Sequence, residues 1–177
     1  MKIPYVPDPP IADSPEDDAI IKRIRARRGS GGLLKLDLAL LHSPPLADGW
    51  NSFFGAIRTR TSISGDLREL IMCRIAVCNE AWYEWDQHAP LAEHEGVGRA
   101  ALEAIKKDPL DDKPSELTEK QWAVVLYTDE MTKNIRVKDA TMQKLRDHFS
   151  DREVVEVTTT VKPSQPILVC RIKAQNM

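Results

Sequence analysis

The sequence predicts an all-α protein. Apolar residues recur three and four apart in segment after segment, as at Trp50, Phe53, Phe54 and Ile57, which is the period of one helical face. Helix-start signals punctuate the chain: Ser14-Pro15-Glu16-Asp17, Thr118 with Gln121, and Ser150 with Glu153. Each puts a side-chain oxygen ahead of a first turn whose backbone N–H groups need an acceptor. The β-branched run Val154–Val161 favours a strand by propensity. A single strand with no partner elsewhere leaves its hydrogen bonds unmade, so that run is also expected to be helical.

The elements follow in order. Residues 1–13 hold four of the twelve prolines and are expected as an extended arm. Ser14 opens a first helix, with acidic residues in its first turn, Arg25, Arg27 and Arg28 in its last, and Gly29, Gly31 and Gly32 to stop it. Leu33–Leu41 reads as a short buried helix, ended by Ser43-Pro44-Pro45. Leu46–Arg60 carries the aromatic stripe, and Thr61–Gly65 is a turn. Asp66–Val77 is a helix with Leu67, Leu70, Ile71, Ile75 and Ala76 as its buried face. Asn79 is expected to cap a helix from Glu80 to about His94, kinked or broken at Pro90 and ended at Gly96. Short helices over Arg99–Lys107 and Val137–Phe149 flank the one opened by Thr118. The total is about seven or eight helices.

Composition narrows the function classes. The chain has 177 residues, 42% hydrophobic and 29% charged, enough for one domain or one domain plus an arm. A net charge of −2 gives no field that favours nucleic acid. The basic run Lys22–Arg28 has no interleaved aromatics and reads as a solvated helix end. No apolar run approaches the roughly 18 residues needed to span a bilayer, and the proline-rich acidic N-terminus lacks the apolar core of a secretory signal. Cys73, Cys78 and Cys170 have no metal or disulfide spacing. These features point to a cytoplasmic protein with reduced thiols, without a nucleic-acid or membrane partner.

The informative stretch is Asn79-Glu80-Ala81-Trp82-Tyr83-Glu84-Trp85-Asp86-Gln87-His88. Glu84 and His88 are four apart on one predicted helix, so their side chains meet. A carboxylate beside an imidazole fixes the tautomer and readies the ring to move a proton. Tyr83, Trp82 and Trp85 are placed to wall a pocket there. By pattern alone, such a pair is more often a surface contact, tryptophans more often belong to the core, and Glu69 reads as a surface residue. His42 reads as a helix-end residue, His94 and His148 as solvated, and Cys73 as a small buried hydrophobe.

The segments Leu40-Leu41-His42-Ser43-Pro44-Pro45, Leu67-Arg68-Glu69-Leu70-Ile71 and Tyr83-Glu84-Trp85-Asp86-Gln87-His88 resemble the carboxymuconolactone decarboxylase and alkylhydroperoxidase-like family, over roughly residues 35–160. That resemblance implies an all-α fold assembling as a homotrimer or homohexamer. The peroxidase branch carries Cys-x-x-Cys, a histidine four residues after the second cysteine and a glutamate twelve residues before the first. Counting from His88 keeps Glu69 at the glutamate position but puts Ala81 and Glu84 at the redox positions. Neither can replace a thiolate. Cys78, three residues before Ala81, is the remaining thiol near the pocket.

The resemblance therefore implies a cofactor-independent decarboxylase or related lyase, without a metal, acting on a small carboxylated lactone or oxygenated ring compound. Glu69, Glu84 and His88 are its catalytic candidates, and Tyr83, Trp85 and Cys78 its pocket candidates. Peroxide reduction through Cys78 and a non-catalytic helical assembly are the alternatives. The expected organisation is an arm and first helix over 1–34, the helical domain over 35–161, and an irregular tail over 162–177. Pro163 and Pro166 are expected to prevent a final helix in that tail, which reads as an aberrant end.

Overall fold

The computed structural model describes residues 3–110 and 112–169, and only the backbone of 162–169. Among these residues there are nine α-helices, one 3-10 turn and no strand. The chain forms two compact units, residues 1–60 and 61–177.

The first unit holds α1 (Pro15–Arg28), the 3-10 turn Gly29–Gly31, α2 (Lys35–Leu40) and α3 (Pro44–Thr59). Ser14 caps α1 as expected, its hydroxyl accepting from Asp17 N–H at 3.1 Å. Ile20, Ile21 and Ile24 of α1 pack with Leu41 and Ala47. In α2 the buried residue is not a leucine but Asp37, 3% exposed. Its carboxylate accepts two hydrogen bonds from Arg28, at 2.8 and 2.7 Å, and one from Leu34 N–H at 2.8 Å. The end of the basic run is thus tied to a buried acid rather than simply solvated. Pro44 and Pro45 do not end a helix; they open α3, because the first turn has no use for the missing N–H and proline presets φ. On α3, Phe54 and Ile57 are buried while Phe53 is exposed.

The second unit is built around α4 (Gly65–Cys78). It packs against α5 (Trp82–His94), α6 (Arg99–Ile105), α7 (Glu119–Asn134) and α9 (Asp151–Val169), and α8 (Asp139–Arg146) packs on α7 and α9. Ten of the fourteen residues of α4 are buried, so the helix is enclosed on every side rather than amphipathic. One flank joins Leu70, Cys73 and Val77 to Trp85, Ile105 and Trp122. The other joins Ile71 and Ile75 to Val124, Tyr127 and Val157. Burial of this apolar surface is the main stabilising contribution, at about 25 cal/mol per Å².

The α4–α5 connection departs from expectation. Asn79 caps the end of α4, its Nδ2 donating to the Ile75 carbonyl at 3.0 Å, instead of opening α5. Glu80 takes a left-handed φ of 53°, which reverses the chain sharply and delays α5 to Trp82. The helix α5 runs unbroken through Pro90. Pro90 is exposed, as is Asp86, so the carbonyl that loses its donor lies where water can reach it.

Thr118 and Gln121 form the expected capping box of α7, with bonds of 3.2 and 3.0 Å. At its other end, Ile135 sits at a left-handed φ of 57°. Ser150 and Glu153 open α9, with Ser150 N–H donating to Glu153 at 2.8 Å. The β-branched run is helical, since Val157, Thr160 and Val161 are buried and packing overrides propensity. The helix continues to Val169 through Pro163 and Pro166, against the expectation of an irregular segment from residue 162. Extending a helix already anchored by packed turns costs far less than nucleating one. Residues 170–177, the rest of the expected tail, lie outside the described residues. No helix among the described residues is long and apolar enough to cross a membrane.

Candidate active site

Glu69 and His88 converge although nineteen residues separate them. Glu69 lies one turn and a half into α4, and His88 lies in the middle of α5, which returns along α4 after the Glu80 reversal. His88 Nδ1 is 2.7 Å from Glu69 Oε2. Both residues are buried, at 2% exposure for Glu69 and 8% for His88. A carboxylate only accepts hydrogen bonds, so Nδ1 carries the hydrogen. Nε2 makes no hydrogen bond to the described residues and is the nitrogen left for chemistry. The other oxygen of Glu69, Oε1, faces the Arg68 Nε–H at 3.3 Å. The side chain of Arg68 is 14% exposed.

Glu84 does not take the part expected from its spacing. The carboxylate at His88 Nδ1 belongs to Glu69, on the neighbouring helix, and not to Glu84 one turn earlier on α5. A spacing of four brings two side chains together only where tertiary packing supplies no better partner. Glu84 is half-buried and its charge reaches Cys73. Cys73 lies one turn after Glu69 on α4, fully buried. Burial first, then the charges of Glu69 and Glu84, push its thiol up to about 12. Glu69, Cys73, Glu84 and His88 thus line one stretch of the α4–α5 interface.

The expected pocket residues are scattered. Trp85 is a core residue, 7% exposed, with the Lys106 ammonium 4.9 Å from its ring centre. Tyr83 is 57% exposed and faces solvent instead of walling the site. Cys78 lies nine residues beyond Glu69 on α4, about 13 Å along the axis at 1.5 Å per residue. Its thiol donates to Asp129 at 3.4 Å. Burial first, opposed by Arg74 but joined by Asp129, pushes it up to about 12.

Sequence reasoning missed two arginines. Arg68 stood in the family-like segment with no role attached, and its Nε–H donates to the buried Glu69 at 3.3 Å. Arg74 is fully buried and binds Asp129 at 2.8 Å, the carbonyls of Ile105 and Lys107 at 2.8 and 2.7 Å, and Asp108 at 2.9 Å. Nothing in a local pattern marks a charged residue inside an apolar helix as central.

Residues 44–107 match the model of the Carboxymuconolactone decarboxylase family. That range covers α3 to α6 and contains both Glu69 and His88. No curated protein matches the chain. Among solved structures, a Cys→Ala variant of the debrominase Bmp8 in complex with 2,3,4-tribromopyrrole is similar, at 15% identity and a TM-score of 0.72, covering 96% of this chain and 88% of the other. A peroxidase-related protein from Silicibacter sp. TM1040 is similar at 17% identity and a TM-score of 0.69, covering 94% and 87%. ATU0492 from Agrobacterium tumefaciens, a protein of unknown function for which an AhpD-type antioxidant defence role has been suggested, is similar at 21% identity and a TM-score of 0.63, covering 72% and 86%. At these identities the likeness is one of fold.

Proposed function

We propose that this chain, whose residues 44–107 match the model of the carboxymuconolactone decarboxylase family, is a small-molecule-modifying enzyme that works by acid–base chemistry at the Glu69–His88 pair. The substrate is a small carboxylated lactone or related oxygenated ring compound, and the reaction a cofactor-independent decarboxylation or allied lyase step. The observation that carries this is the buried 2.7 Å hydrogen bond from His88 Nδ1 to Glu69. It orients the ring, fixes its tautomer and leaves Nε2 for the substrate.

Decarboxylation beside a conjugated carbonyl breaks the C–CO₂⁻ bond and sends its electron pair to the carbonyl oxygen. A carbon of the resulting enolate then takes one proton. His88 Nε2 delivers that proton, with Glu69 holding the ring from Nδ1. Water then restores the proton. Glu84, half-buried on the same interface, lies within reach of a polar group of the substrate.

Peroxide reduction finds little support. It needs a thiolate, and the thiols of Cys73 beside the site and of Cys78 farther along α4 are both pushed up to about 12. The test is carbon dioxide release from a panel of carboxylated lactones, together with consumption of an organic hydroperoxide plus dithiol. Turnover of a lactone by the wild type that falls by about 10²–10⁴ in His88→Ala is the expected result. Hydroperoxide turnover that disappears in Cys78→Ser, with no lactone consumed, would overturn the proposal.

A further inference from the structure

On the α7–α8 side of the second unit, a cavity of about 370 Å³ is lined by Asp112, Lys113, Glu119, Trp122, Leu126 and Lys144. That lies at the lower end of the range for small-molecule pockets, roughly 300–1,000 Å³. Its floor comes from α7, where Glu119, Trp122 and Leu126 recur three and four apart and so share one face. Trp122 is buried and packed into the core, and Leu126 is half-buried, so the floor is a fixed apolar surface. The charges around it sort into an engaged pair and a free pair. The Lys113 ammonium donates to the Leu117 carbonyl at 2.9 Å and lies 3.5 Å from Glu119. The carboxylate of Asp112, in the loop before α7, and the ammonium of Lys144, in the last turn of α8, make no ion pair or hydrogen bond with the described residues. One cavity thus presents an apolar floor, an uncommitted anion and an uncommitted cation.

We propose that this cavity binds a small zwitterion carrying an apolar ring, in the manner of an aromatic amino acid. The ring lies on Trp122 and Leu126, the carboxylate meets Lys144, and the ammonium meets Asp112. Charge complementarity selects this class over its neighbours. A ring carboxylate without an ammonium meets Lys144 but also faces Asp112 and Glu119. A ring amine without a carboxylate meets Asp112 but also faces Lys144. A neutral ring answers neither charge. The charged ends stand in solvent, where each contact has the strength of a surface ion pair, so binding is weak, with a Kd on the order of 1 mM. The inference does not depend on the acid–base reading of Glu69 and His88, none of whose residues lines the cavity.

The test is saturation-transfer NMR of the full chain with L-phenylalanine as the probe. Beside it stand 3-phenylpropanoate, which lacks the ammonium, and 2-phenylethylamine, which lacks the carboxylate. The expected result is saturable transfer to the ring protons of phenylalanine, with a Kd about two- to fivefold larger for each analogue. Lys144→Gln is expected to erase the preference over 2-phenylethylamine and keep that over 3-phenylpropanoate. Asp112→Asn is expected to do the reverse. Both positions are exposed, so neither variant disturbs the core. Absence of saturable transfer below about 10 mM phenylalanine overturns the proposal. So does an analogue that binds the wild type as tightly as phenylalanine. Preferences that survive both substitutions overturn it too, because they place the ligand elsewhere on the chain.

Discussion

Replacing Arg74 with methionine is expected to remove about 3 kcal/mol of stability. The side chain is 0% exposed and satisfies four acceptors: Asp129, Asp108 and the carbonyls of Ile105 and Lys107. Methionine fills a similar volume, so the cost comes from the stranded partners and not from a cavity. Each buried acceptor left without a donor costs roughly 1–3 kcal/mol, and breaking a buried ion pair costs about 3–5. Lys133 tempers this, because it stays 3.0 Å from Asp129 and also binds Asp108. The lower end of the range is therefore expected, a large share of a total of about 5–15 kcal/mol. Urea unfolding followed by circular dichroism, and by the fluorescence of the buried Trp85 and Trp122, measures it. With a slope of about 1–3 kcal/mol per molar urea, the midpoint should fall by about 1–3 M. Arg74→Lys keeps the charge but not the planar fork, and should lie between. A loss under about 1 kcal/mol in Arg74→Met would refute the reasoning, since it would mean that water replaces the guanidinium at no cost.

Three further outcomes are expected. Burial pushes the Glu156 carboxyl up, but the Ser62 hydroxyl, Arg152 and the backbone N–H groups of Ser62 and Ile63 outweigh it, and the net displacement is downward. A depressed carboxylate stabilises the fold above its unfolded value, and that stability is lost as pH falls through the folded one. Glu156→Gln should therefore lower Tm at pH 7 and narrow its difference from the wild type at pH 3, and an equal gap at both pH values would contradict this. With thiols near 12, Cys73 and Cys78 should react with iodoacetamide at pH 8 at least a hundredfold more slowly in the native protein than in urea; rapid native labelling of Cys78 would show a working thiolate. Self-association, which the family resemblance implies, should appear in light scattering as three or six times the 20.0 kDa chain, and a monomer at micromolar concentration would count against it.

The helix starts at Ser14, Thr118 and Ser150 were legible because a cap is a local device, written within four residues. The same locality misled at Pro44-Pro45 and at Asn79. Proline can follow a helix or begin one, and asparagine can cap either end. Which role applies depends on the chain that arrives from elsewhere. The site shows the contrast more sharply. A local rule pairs His88 with Glu84, whereas the fold pairs it with Glu69 across two helices. No period in the sequence encodes that contact; Glu69 was found through a family pattern, not through helix geometry. Arg74 escaped both routes, because a single charge in an apolar helix reads as an exception until its four acceptors are seen to converge from α6, α7 and the loop between them.

The end of α7 gives the chain an unspent reserve. Ile135 is 70% exposed and holds a left-handed φ of 57°, a conformation that burdens a β-branched residue and suits glycine or asparagine. Its side chain recovers little by packing, so the strain is uncompensated at that spot. A single substitution there can raise the heat tolerance of the second unit without touching any group near His88. Thermal range and chemistry are thus separable in this molecule, and changes that the site needs but the fold resists can be accommodated by relaxing a turn on the far end of another helix.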